Sequence, residues 1–182
     1  MKSLANLVNQ PAGTPLMADD VLEFHAARLL MLFKLCGKSG SVDGLTKMAK
    51  LDFFVRYPQF FSIACKKLGV PASSPVQHVE SSMIRFHYGP WDSRYYHILG
   101  YLVAKQLLKI STKGNMYELR LTPSGNEVAG HLIRDPAFTD IAEHMIQVKN
   151  VLGAKAGSTL KKLVYELFED EVKKRPLGEV ID

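Results

Sequence analysis

From residue 108 to 121 the apolar side chains fall at every second position and the chain reverses once. Leu108 and Ile110 alternate with Lys109 and Ser111. After Lys113-Gly114-Asn115, residues Tyr117, Leu119 and Leu121 alternate with Glu118 and Arg120. A period of two places the apolar residues on one face, and Gly and Asn tolerate the positive φ of a tight turn. A hairpin with one buried face is the expectation. Its flanks restrict the fold further. Thr122 is suited to cap a helix, with Pro123 at its first position, so a helix leaves the ribbon at once. Before the ribbon, Tyr95, Ile98, Leu99, Leu102, Val103 and Leu107 are three and four apart, which is one face of a helix. Gly89-Pro90 interrupts what precedes that helix, and Asp92 can cap it.

Helix, ribbon, helix is the C-terminal part of a winged helix. Upstream, Asp19 and Asp20 start a helix, VLEFHAARLLMLFKLCG, that is apolar on nearly all sides and therefore central. His25 within it reads as a core histidine. Residues 45–57 suggest a second helix, and Pro58 opens a third with a bend near Tyr57, because a residue before proline avoids the α region. Asp52 and Arg56 are four apart and would pair on an exposed face for about 0.3 kcal/mol. The aromatic residues of 53–61 read as core. A Pro/Ser-rich loop occupies 69–77, and the whole of 69–88 stands where a winged helix has a short turn. Residues 79–86 are expected to be extended and to pair with the ribbon. Further on, Asp135-Pro136 caps a helix and Ser158 caps the last one. The last helix gathers Leu160, Leu163, Val164, Leu167, Phe168 and Val172 on one face, which the chain's own core or another chain must cover. The predicted fold is mostly α with a small β-hairpin wing, a modified winged helix with N-terminal and C-terminal helices. A loose arm would span 1–18, the winged-helix domain 19–134 and a helical extension 135–182.

The 182 residues suffice for one domain with a sizeable core. Cys36 and Cys65 both lie in apolar helical patterns, as buried free thiols of a reducing compartment would. The first twenty residues lack the apolar run of a secretory signal, and no run of about 18 apolar residues is present to span a membrane. A cytoplasmic protein is expected. No nucleophile elbow, zinc-protease, paired C-x-x-C or dinucleotide motif occurs. Gly37-Lys38-Ser39-Gly40 resembles a phosphate loop only superficially, since Leu32 stands where the first glycine belongs. The histidines show no metal-ligand spacing. No catalytic, cofactor or metal residue is therefore assigned, and an enzyme is not expected.

A net charge of +5 permits an acidic partner without requiring one. The helix ahead of the ribbon carries only Arg94 and Lys105 as fixed positive charges, which is poor for base reading. Arg85, Lys105, Lys109, Lys113 and Arg120 could make weak contacts to a DNA backbone. The same region is rich in the residue types that dominate protein interfaces: Tyr88, Trp91, Arg94, Tyr95 and Tyr96. These, with Leu160, Leu163, Leu167 and Phe168, are the candidate partner surface. Trp91→Ala and Tyr95→Ala would then impair assembly more than folding.

Three stretches carry a resemblance: LDFFVRYP at 51–58, YGPWD at 88–92 followed by Arg94 and Tyr95, and LRLTPSG at 119–125. From about Asp20 to Val172 the chain resembles the middle component of ABC-three-component systems, bacterial defence operons that include Lamassu-type ones. The resemblance implies a winged-helix subunit without catalysis of its own, held by an SMC-like ABC ATPase and linking it to an effector, often a nuclease. The matched Asp52, Arg56, Tyr57, Gly89, Trp91 and Asp92 can be structural in such a family. The rival expectation is a homodimeric winged-helix transcriptional regulator of the MarR or PadR kind.

Overall fold

In the computed structural model of the protein, residues 21–71, 83–86, 89–114, 116–167 and 180–181 are described. Helix α1 (Leu22–Cys36) is buried on nearly every side, as its unbroken apolar pattern requires. It ends where the Gly37 amide donates to Phe33 O, and the chain turns through Ser39 and Gly40, both at positive φ. Strand β1 (Ser41–Asp43) follows, then α2 (Leu45–Arg56) and α3 (Pro58–Lys67). Tyr57, at φ −123° and ψ 78°, makes the expected bend between them. The Phe53 ring lies 5.1 Å from Tyr57 and 5.3 Å from Phe60, and Phe54 lies 6.4 Å from Phe61. All five aromatics are buried, so this cluster is core.

Strand β2 (Met83–Phe86) does not join the ribbon, contrary to expectation. It pairs antiparallel with β3 (Gly89–Trp91) and with β6 (Val180–Ile181) to form a separate small sheet. Gly89, at φ +92°, lets the chain fold straight back along β2. The Tyr57 hydroxyl accepts the Met83 amide at 2.6 Å and fixes β2 to the bend. Residues 79–82 lie outside the described residues.

Helix α4 (Tyr95–Ala104) starts at the first residue of its apolar pattern, but Arg94 and not Asp92 holds the N-cap position, because Asp92 Oδ1 takes the Arg94 amide in the turn ahead of the helix. Tyr95, Ile98, Leu99 and Leu102 are buried, whereas Val103 is exposed. Strands β4 (Leu108–Lys113) and β5 (Met116–Leu121) form the expected hairpin, with Leu108 opposite Leu121 and Ile110 opposite Leu119. Strand β1 adds to the far edge of β5, giving the order β1-β5-β4. The chain is thus mostly helical with a small three-stranded antiparallel sheet and the second small sheet beside it.

Helix α5 (Pro123–Arg134) opens as expected: Thr122 Oγ1 accepts the Gly125 amide at 2.9 Å and its hydroxyl donates to Gln106 O at 2.7 Å. A Cβ at Gly125 would stand 1.8 Å from Leu107 O, so the ribbon's entry and the helix meet at a point only glycine permits. Thr122→Ala is expected to lower stability by about 1–2 kcal/mol, because it removes the cap and the link to residue 106 together. Urea denaturation reads this as a lower midpoint at unchanged slope.

Asp135 Oδ1 accepts the Ala137 amide at 2.9 Å ahead of α6 (Thr139–Val148), which packs on α1 and α2. Helix α7 (Gly157–Leu167) begins one residue before Ser158, so that serine lies in its first turn and is not the cap. Helix α7 packs on α2, α3 and β3, with Leu160, Leu163 and Val164 buried. The tail helix's apolar stripe is therefore covered by the chain's own core from Leu160 to Val164 and in part at Leu167. No described helix is long and apolar enough to cross a membrane.

Candidate functional site

Helix α1 contributes an arginine to the middle of an apolar face, and this decides what gathers around it. Arg28 is fully buried. Its Nε donates to Asp52 Oδ1 at 2.9 Å and its Nη2 to Asp52 Oδ2 at 3.3 Å. Asp52 reaches inward from α2 and also accepts the Tyr95 hydroxyl at 2.6 Å. One turn on, Arg56 Nη1 lies 3.9 Å from Asp52 and donates to Asp92 Oδ2 at 2.7 Å. Asp92, between β3 and α4, takes Nε and Nη2 of Arg94 at 2.9 and 2.7 Å, and the Arg94 amide at 2.9 Å. The His25 ring closes the circuit, with Nδ1 2.8 Å from Arg28 Nη1 and Nε2 2.8 Å from Arg94 Nη1. A guanidinium only donates, so a neutral imidazole accepts from one of these arginines at a time.

This network corrects the expected exposed Asp52–Arg56 pair. Both side chains are buried, and their strongest bonds go to other elements. Buried charges must be paired and hydrogen-bonded, and Arg28 inside an apolar helix was the sequence signal that carboxylates would come inward to meet it. The network ties α1, α2 and the turn before α4 together. Burial pushes the Asp92 carboxyl up, but the Arg94 hydrogen bonds and the charges of Arg56 and Arg94 outweigh it and hold the group well below the usual carboxylate range. Burial, then the Asp52 charge, holds the Tyr95 phenol well above its ordinary value. A carboxylate so acidified is a poor general base, and a phenol so raised keeps its proton. Burial also pushes the Cys36 thiol up to about 12, and its Sγ lies 3.3 Å from Met145 O, which it faces as a donor. Both cysteines are free and buried, as expected. Among the described residues no three His, Cys, Asp or Glu side chains cluster as metal ligands.

The candidate partner residues separate into two sets. Trp91 and Tyr95 are core: Tyr95 is fully buried and Trp91 packs edge-on against it at 5.0 Å. Leu160 and Leu163 are buried beneath α2 and α3, and Leu167 is half-buried. Trp91, Tyr95, Leu160 and Leu163 are withdrawn as interface residues, because the chain's own core already covers their apolar surface, whereas Leu167 keeps part of its surface open. Tyr96 points outward, 64% exposed, with its ring 5.7 Å from Trp91. The Arg94 side chain keeps 32% exposure at the edge of the network. Tyr88 and Phe168 lie outside the described residues.

Of the possible DNA contacts, Lys105 and Lys109 are exposed, with Lys105 Nζ 5.6 Å from the Tyr101 ring centre. Arg120 is exposed but donates to Glu118 at 2.7 Å, which offsets its charge. The side chains of Arg85 and Lys113 lie outside the described residues. Met116 and Tyr117 at the ribbon tip are exposed as well. Sequence reasoning missed Tyr117 because its alternation matched that of the buried Leu119 and Leu121. Compared with protein-family models, curated proteins and solved structures, the chain matches none.

Proposed function

We propose that this chain is a non-enzymatic winged-helix adaptor that works in the cytoplasm. It would link an SMC-like ABC ATPase to the effector of a bacterial defence complex of the ABC-three-component kind. The observation that carries the proposal is the convergence of Asp52 and Arg56 from the 51–58 stretch with Asp92, Arg94 and Tyr95 on one buried network. Residues that resemble the family's motifs are used to hold a frame, as a subunit without its own chemistry would use them. The arrangement of α4, the β4–β5 ribbon and the added strand β1 supports a winged helix as the frame. The outward Tyr96 is then the grip offered to the ATPase, with the part-exposed Arg94 near it in the chain. Coupling would be mechanical: movement in the ATPase is passed through the rigid α1–α2–α4 frame to the effector.

Co-expression with the genes beside it tests this. The chain should elute with a large ATPase, at a mass that native mass spectrometry resolves into different chains. A symmetric homodimer that binds its own promoter, and captures no ATPase, would establish the regulator instead.

A further inference from the structure

Lys50 is 1% exposed on α2. Its Nζ donates to Pro90 O of β3 at 2.9 Å. Among the described residues it forms no ion pair, since the two buried carboxylates, Asp52 and Asp92, are bonded to arginines. Helix α7 packs on both α2 and β3 and brings Lys161, a second cation, toward it. The other buried charged or titratable groups on α2 and the described elements packed against it are His25, Arg28 and Cys36 on α1, Asp52 and Arg56 on α2, Tyr57 at the bend, Cys65 on α3 and His144 on α6. Strand β3 itself, Gly-Pro-Trp, carries none.

An ammonium buried with one carbonyl as partner is costly, because desolvation is not offset by an opposite charge. We propose that Lys50 makes the seat of β3 on α2 proton-sensitive. Taking up a proton places an unmatched cation between α2, β3 and α7 and favours local opening of β3. Burial, then the Lys161 charge, lowers the Lys50 pKa from 10.5 to about 7. The unfolded chain therefore binds the extra proton between about pH 7 and 10.5. The closed state gains stability as pH rises through that window and has lost this contribution at pH 7 and below. His144, whose pKa burial lowers from 6.5, acts only in a more acidic window. Strand β3 leads straight into Asp92 and Tyr95, so its opening would loosen one arm of the ionic network.

Hydrogen exchange of the whole chain between pH 7 and 9, corrected for intrinsic rate, tests this. The opening constant of the β2–β3 amides should rise as pH falls, approaching about tenfold per unit. The amides of β4 and β5 should not follow. In Lys50→Met the β3 trend should vanish. Uniform change in all amides, or an unchanged trend in Lys50→Met, overturns the proposal. Should that variant not fold, the Lys50 Cε resonance of the wild type decides. A midpoint near 7 supports the proposal, and one at the ordinary value of about 10.4 overturns it.

Discussion

Asp52→Asn is expected to destabilise the protein by about 3–5 kcal/mol, the cost of leaving a buried charge without its partner. Its carboxylate serves Arg28 through two bonds and Tyr95 through a third, and all three side chains are buried. Asparagine keeps the volume but offers one acceptor oxygen and no charge, so the Arg28 guanidinium stays buried and uncompensated. Against a total stability of about 5–15 kcal/mol, this loss takes up a large share. A thermal scan should show a fall on the order of 10 °C. Replacing Arg28 by methionine in the same chain removes the stranded charge. The double variant should therefore be less damaged than the two single losses added together. An Asp52→Asn midpoint within a degree of wild type would mean that the network carries little of the fold.

Tyr95→Ala is expected to cost about 3–5 kcal/mol, the range for emptying an aromatic site in a packed core. Tyr95→Phe keeps the ring and removes only the hydroxyl that donates to Asp52, so its cost should be about 1–3 kcal/mol. The difference between the two separates packing from hydrogen bonding, and urea denaturation at one pH measures both. Had Tyr95 belonged to a partner surface, both variants would fold with near wild-type midpoints.

Much of the frame was legible because it rests on local rules. The hairpin, the Thr122 cap, the bend at Tyr57 and the apolar α1 each follow from residues close in sequence. What stayed hidden depends on partners far along the chain. Strand β1 is three residues long, too short for any period to register, and exists because β5 pairs with it. Asp52 and Arg56 have the spacing of a surface pair, and only the arrival of Arg28 from α1 and Asp92 from beyond β3 turns them inward. Trp91 and Tyr95 have the composition of an interface. Composition does not say which side of a helix faces the core when the preceding strand fixes where that helix begins. Neighbouring positions then took opposite fates, with Tyr95 inside and Tyr96 outside.

That division is the claim to test, with two variants measured in parallel for thermal midpoint and for capture of the co-expressed ATPase. Tyr95→Phe should lower the midpoint and, while folded, still be captured. Tyr96→Ala should keep the wild-type midpoint and lose capture. The reverse pattern, with Tyr96→Ala unstable or fully captured and Tyr95→Phe stable but uncaptured, would contradict it.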